Sequence, residues 1–372
     1  MNICVFTDFR FVTYPALTGV GKHIIQMVQG LSRINGNKVT ALAAHDQIRN
    51  FGPLSFAQVH ELPLPWKLAE AVWTATGHPV ADRWCGNPDW VYCPKNDYIP
   101  IRNVRVAVTI HGAHQLDPHM PRSRGLAGYL NRMRSRTSYT RALRQADLVL
   151  TVSKFLKAQV VDWFNVEPEK ICVVGNGVES EFFRVAQASR GCSGEPPDRP
   201  FVLCVGGLNY LDGGDRMVEV ASLLNKQARD LRVLVAGCQH SDQLKAKAAQ
   251  LPNLVLLGYL ESERLAHYMR DAVALLFPTR YETFGIAAAE AMAAGTPVIT
   301  CRSTAVPEIV RDAGLYVSPD SPEEAVEAIR ELMANSGLAA EYIQRGHDRA
   351  GQYTWAACVR KLNGALLKGG GR

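Results

Sequence analysis

The chain predicts an α/β protein built from two doubly wound parallel sheets in series. Three observations carry this. Short apolar runs recur through the 372 residues, and helix-forming stretches lie between many of them. A polar stretch rich in Pro and Gly, RVAQASRGCSGEPPDRP from Arg184 to Pro200, interrupts the pattern near the middle and reads as a linker. The length suits two domains of ordinary size.

In the first half the strand-like runs are Ile3–Phe6, Val39–Ala43, Trp90–Cys93, Val104–Ile110, Leu148–Val152 and Ile171–Val174. In the second they are Phe201–Val205, Leu231–Ala236, Asn253–Leu257, Ala272–Phe277, Val298–Cys301 and Leu315–Val317. Continuous apolar runs of this length fit strands covered on both faces by helices. The predicted boundaries are 1–184 for the first domain and 185–353 for the second, with 354–372 as a helix packing back on the first. Ligands of such folds bind beyond the carboxyl ends of the strands. A cleft between two facing sheets is therefore the expected site.

Composition narrows the class. Hydrophobic residues are 47% and charged residues 20%, which fits a globular protein. No apolar run reaches the ~18 residues of a membrane span. The opening MNICVFTDFRF reads as a first strand rather than a signal peptide. The nine cysteines are scattered, with no C-x-x-C. Those in strand-like runs act as small core residues, and a reducing cytoplasm is the expected setting. No metal-ligand spacing appears.

The net charge of +6 is unevenly spread. Between Met120 and Gln145 stand Arg122, Arg124, Arg132, Arg134, Arg136, Arg141 and Arg144, with no acid among them. Leu126, Leu130, Met133 and Leu143 give a helix there an apolar side. Such a helix suits an anionic membrane surface, an anionic acceptor, or plain solvent. No nucleic-acid module accompanies the charge, so nucleic acid is not an expected partner.

One stretch carries chemistry: RYETFGIAAAEAMAAGTPVI, Arg280 to Ile299. Pro278 ends the strand before it, because proline cannot donate to a ladder. Thr279–Phe284 reads as loop and Gly285–Ala294 as helix, stopped by Gly295 with Pro297 beyond. The first helical amides, near Gly285 and Ile286, have no intrahelical acceptor and favour a phosphate. Glu282 stands just before the helix. Glu290 lies about 7.5 Å further along the axis than Gly285, at ~1.5 Å per residue. Two acids so placed can grip hydroxyls on either side of a phosphate, the layout of a sugar nucleotide.

The segment Asn253–Pro319, which contains this stretch, resembles the donor-binding core of family 4 glycosyltransferases, enzymes of the GT-B fold with two Rossmann-like domains facing across a cleft. TGVGKHI (Thr18–Ile24), VTIHG (Val108–Gly112), ADLVLTVS (Ala146–Ser153), GNGV (Gly175–Val178) and TW (Thr354–Trp355) extend the resemblance in order over most of the chain. It implies retaining transfer of a sugar from a nucleoside diphosphate to a glycan or lipid-linked acceptor, in polysaccharide or glycolipid biosynthesis. It places the acceptor on the first domain and the donor on the second. Glu282 is implied to contact the donor sugar, and Glu290 to accept from the ribose hydroxyls. The amides of Phe284, Gly285 and Ile286 are implied to hold the distal phosphate, with Gly19 and Gly21 closing over the diphosphate. His111 is implied to lie near the reacting centre, and Gly258, Tyr259 and Leu260 near the base. No D-x-D occurs, in keeping with an enzyme that needs no metal or other cofactor. The protein is then expected in the cytoplasm, on the inner face of the membrane if the arginines dock there.

One departure stands out. Where the family carries a phosphate-binding Arg and Lys, VGGLNYLDGGDR (Val205–Arg216) has Gly207 and Asp212. Lys22, Lys154, Arg216 and Arg280 are candidate replacements, or Gly207 and Gly213–Gly214 offer bare amides as an anion nest. The departure keeps open a nucleotide-sugar-binding protein with degraded catalysis. A phosphorylase-like or epimerase-like GT-B enzyme is a further alternative.

Overall fold

The structure is a computed structural model that describes residues 1–12, 18–50, 52–118, 120, 125–187, 199–228, 230–238 and 241–369. The chain forms two compact units. One is Met1–Asn176 together with the C-terminal segment from Trp355, and the other is Gly177–Thr354.

In the first unit the strands are β1 Asn2–Phe6, β2 Lys38–Ala44, β3 Gln58–Leu62, β4 Trp90–Cys93, β5 Arg105–Ile110, β6 Leu148–Thr151 and β7 Ile171–Val173. They run parallel in the order β3-β2-β1-β4-β5-β6-β7. Every residue of β4 is buried, as the uninterrupted apolar run requires. In the second unit the strands are β8 Phe201–Val205, β9 Arg232–Ala236, β10 Leu254–Gly258, β11 Leu275–Phe277, β12 Val298–Thr300 and β13 Gly314–Tyr316. Their order is β10-β9-β8-β11-β12-β13, again parallel. Val202, Leu203 and Cys204 of β8 are fully buried. Burying a side chain such as Val or Leu contributes roughly 1.5–3 kcal/mol. Each sheet reverses its winding once, between β1 and β4 and between β8 and β11. Those two positions are the topological switch points where such sheets bind ligands.

The structure departs from the sequence reading at identifiable places. The break between units falls after Asn176 rather than at 184. The reason is the helix Ser180–Ala186, which packs against the helix Ser262–Asp271 of the second unit. That helix also takes the first residues of the predicted linker, of which 188–198 lie outside the described residues. β3 is a strand that the apolar pattern does not show. Its QVHEL buries only Leu62, because it is an edge strand. Ala272 is not in β11 but caps the helix Ser262–Asp271. The C-terminal helix Trp355–Gly369 belongs to the first unit, where Val359 closes on Gly30 and Asn37 Nδ2 donates to Asn363 Oδ1 at 3.0 Å.

The arginine-rich segment forms the helix Leu126–Gln145. Arg122 and Arg124 lie outside the described residues. Its apolar residues do not share one side. Leu143 is buried, while Leu126, Leu130 and Met133 are exposed. No helix among the described residues is long and apolar enough to cross a membrane.

Candidate functional site

In the second unit the switch point is shaped mainly by backbone. β11 leads through Thr279–Phe284 into the helix Ile286–Ala293. Gly285 caps that helix in the left-handed region, at φ 91° and ψ 53°. An L side chain there costs roughly 1–2 kcal/mol, so the residue is glycine for a physical reason. Glu282 is pinned by its own main chain. Its amide donates to Thr304 Oγ1 at 2.8 Å, and its carbonyl accepts from the Ala305 amide at 3.2 Å. Thr304 itself holds a positive φ of 45°.

Glu282 is half-buried as a residue. Desolvation, with repulsion from Asp212 second, pushes its pKa up to about 7, while the amides of Phe284, Gly285 and Thr283 pull the other way. Glu290 sits within the helix at 2% exposure, a buried acid on a helix otherwise rich in alanine. Phe284 is buried and Ile286 half-buried at the helix start.

The departure at Gly207 is written into the backbone. Gly207 has φ +115°, where an arginine would be strained. Asp212 Oδ2 accepts from Asn209 Nδ2 at 2.5 Å, and the Asp212 amide donates to Asn209 Oδ1 at 3.0 Å. Burial raises the Asp212 pKa, and the Asn209 bond opposes that rise. Arg280, one candidate replacement, makes a bidentate pair with Asp215 at 2.6 and 2.7 Å and lies 4.3 Å over the Tyr210 ring. Arg216 donates to the Pro278 carbonyl at 3.1 Å. Lys22 lies on the helix Gly19–Ser32, and Lys154 begins the helix Lys154–Phe164, both in the first unit. At the end of β10, the Gly258 carbonyl accepts from the Gly237 amide at 2.7 Å. Tyr259 follows it partly exposed and Leu260 buried.

In the first unit the switch point is made of side chains. Asp97, just past β4, accepts from Thr7 Oγ1 at 2.8 Å and pairs with Lys95 at 2.6 Å. Asp8, just past β1, accepts from Gln47 Nε2 at 2.8 Å and takes Arg10 in a bidentate pair at 2.8 and 2.6 Å. His111 directly follows β5 beside this network. Its Nε2 donates to the Pro94 carbonyl at 2.8 Å, which leaves Nδ1 as the acceptor of the neutral ring. Burial lowers its pKa to about 4, so the ring is neutral at physiological pH. Gly19 and Gly21 open the helix Gly19–Ser32. The Gly21 amide donates to the capping Thr18 Oγ1 at 3.2 Å.

Sequence reasoning missed several of these residues. His23 is fully buried, its ring edge against His111 at 4.6 Å between centroids and its Nδ1 2.7 Å from Asn176 Oδ1. Both stood in quoted motifs, TGVGKHI and GNGV, but they are far apart in sequence and nothing in either joined them. Lys95 and Asp97 follow a strand end, which is the only signal they gave. Thr304 gave none.

Two parallel sheets of Rossmann order, the second with a glycine-capped helix that has one carboxylate before it and one within it, define a two-domain α/β protein. The chain belongs to the family 4 glycosyltransferases: residues 17–182 match the model of Glycosyltransferase Family 4 and residues 185–349 that of Glycosyl transferases group 1. It is 30% identical to a D-inositol 3-phosphate glycosyltransferase of Acidothermus cellulolyticus, over 60% of this chain and 55% of that protein. The chain thus spans about half the length of that relative. It is 24% identical to the O-antigen chain mannosyltransferase B of Escherichia coli, over 94% of this chain and 95% of that one. Among solved structures, sucrose-phosphate synthase from Thermosynechococcus elongatus superposes with a TM-score of 0.75 at 18% identity, covering 99% of this chain and 98% of that one. At that identity the likeness speaks for the GT-B fold alone.

Proposed function

We propose that the protein is a retaining, metal-independent glycosyltransferase. It moves a sugar from a nucleoside diphosphate to a glycan or lipid-linked acceptor, in polysaccharide or glycolipid biosynthesis. The observation that carries this reading is the Glu282–Gly285–Glu290 arrangement. The amides and dipole at the helix start suit the distal phosphate. Glu290 suits ribose hydroxyls, since an ionised carboxylate accepts several hydrogen bonds. Glu282, poised near neutrality, faces the sugar. His111, neutral and with Nδ1 as acceptor, suits a donor hydroxyl. The leaving diphosphate is stabilised by fixed amides rather than by a metal, in keeping with the absence of D-x-D. Backbone groups of Gly258, Tyr259 and Leu260 suit the base, and the helix start at Gly19 and Gly21 suits a diphosphate. The arginines of the helix Leu126–Gln145 draw the protein to an anionic membrane on the cytoplasmic side, where a lipid-linked acceptor resides.

The test is to incubate the protein with UDP- and GDP-sugars and candidate acceptors, with and without EDTA, and to read the anomeric configuration of the product by NMR. Retention that EDTA does not affect is expected. Inversion, or loss of turnover with EDTA, would overturn the reading. A second reading is favoured by Gly207 and Asp212: nucleotide-sugar binding without transfer. Donor-induced thermal stabilisation with no turnover on any acceptor would establish it.

A further inference from the structure

The helix Leu126–Gln145 divides its apolar residues between two faces. Its second half turns Tyr139, Ala142 and Leu143 inward, where Tyr139 donates to the Gly112 carbonyl and stacks on Phe164. Its first half turns Leu126, Tyr129, Leu130 and Met133 outward, at 73, 53, 55 and 51% exposure. The spacing i, i+3, i+4, i+7 aligns these four in one stripe about 10 Å long, at ~1.5 Å per residue. Single exposed apolar residues are ordinary, but a contiguous stripe marks a contact surface.

Charge selects the occupant. On a helix of this pitch Arg132 and Arg136 fall on one side of the stripe and Arg134 on the other. Arg134 reaches Glu70 only at 3.6 Å, between two exposed side chains. No acid among the described residues pairs with Arg132, Arg136 or Arg144. An apolar stripe edged on both sides by arginines is complementary to a layer that is apolar inside and negatively charged at its rim. Tyrosine favours the headgroup level, and arginine stems can lie along the stripe with their guanidinium groups raised to the phosphates.

We propose that Leu126, Tyr129, Leu130 and Met133 insert into the interfacial layer of an anionic bilayer while Arg132, Arg134 and Arg136 engage its phosphates. This deepens the membrane part of the function proposed above, which required only attraction of the arginines. Attraction alone is screened by salt, whereas insertion is not. The helix is then an anchor with one salt-sensitive and one salt-resistant component.

Vesicle flotation with the full chain tests it. The probes are vesicles of phosphatidylcholine alone and of phosphatidylcholine mixed with phosphatidylglycerol, at low and high salt. The wild type is expected to bind the mixed vesicles and to keep part of that binding at high salt. The triple change Leu126→Ser, Leu130→Ser and Met133→Ser should remove the salt-resistant part, lowering affinity roughly tenfold or more. Because these side chains are exposed, its melting temperature should stay near that of the wild type. Arg132→Ser, Arg134→Ser and Arg136→Ser should remove the salt-sensitive part, roughly fivefold per arginine. In Leu130→Trp, a blue shift of the added emission on vesicles would report insertion directly. Wild-type binding that salt fully reverses and the serine triple leaves unchanged would overturn insertion and leave attraction standing. No binding to either vesicle would overturn both. Self-association that the serine triple abolishes, without lipid binding, would make the stripe a face for a second copy and overturn the proposal.

Discussion

The two sheets share one strand order, yet their switch points are built from opposite materials. In the second unit the crevice is shaped by main chain, with a helix start at Gly285, a Glu282 whose amide is fixed by Thr304, and a Gly207 at positive φ. In the first it is filled with paired ions, Lys95 with Asp97 and Arg10 with Asp8, around a neutral His111. Backbone amides are fixed when the fold forms and suit a ligand group that never varies, such as a diphosphate. Side-chain ions are exchangeable by mutation and suit a ligand that differs between relatives, such as an acceptor. One topology thus carries a crevice of fixed amides and a crevice of exchangeable ions.

The largest effect is expected at Lys95. The pair it makes with Asp97 is largely buried, and removing one partner leaves an uncompensated buried charge. Lys95→Met should cost about 3–5 kcal/mol in denaturant unfolding. A loss below about 1 kcal/mol would show that the ions of the first unit are not what fixes its crevice.

Next in size is Glu290. Glu290→Ala should weaken UDP or GDP binding in calorimetry by about ten- to a hundredfold, the range of a hydrogen bond to a charged group. Cooperative unfolding should survive. Unchanged affinity would remove the acid from the donor site and leave the second unit's crevice to backbone alone.

The smallest effect sharpens the contrast by pH. Glu282 is raised from 4.5 to about 7, so the fold carries its charge at a cost above about pH 7 and sheds that cost as pH falls toward 4.5. His111 is lowered from 6.5 to about 4, and His23 is lowered too. Their contribution is complete above 6.5 and is lost as pH falls toward 4. Acid therefore acts in opposite senses on the two crevices. Between pH 7 and 5 the melting temperature of Glu282→Gln should drop more than that of the wild type, by a few degrees, and that of His111→Gln less. Parallel profiles for all three proteins would show that neither group titrates as its surroundings require.

How much of this was legible follows from what each signal measures. Apolar runs report burial on both faces, so they revealed the central strands of both sheets and were silent on the polar edge strand β3. The Gly285 helix start was readable because glycine, alanine and proline each constrain the backbone locally. The sites of the first unit were not, because Thr7, Gln47, Lys95 and Asp97 meet only through sheet order, which no local pattern encodes. The same limit hid His23 and Asn176 from each other. In the helix Leu126–Gln145 the residue types were read correctly but not their division between two faces, since that depends on where the partner elements stop.

The helix Trp355–Gly369 has a consequence for how the protein comes into being. The first unit contains residues on both sides of the second in sequence. As the chain leaves the ribosome, residues 177–354 are all available before 355–369 exist. The second unit can close on its own strands at once, while the first waits with the Gly30 face of its opening helix uncovered. Domains ordinarily fold in order from the amino end. Here the unit begun first is finished last.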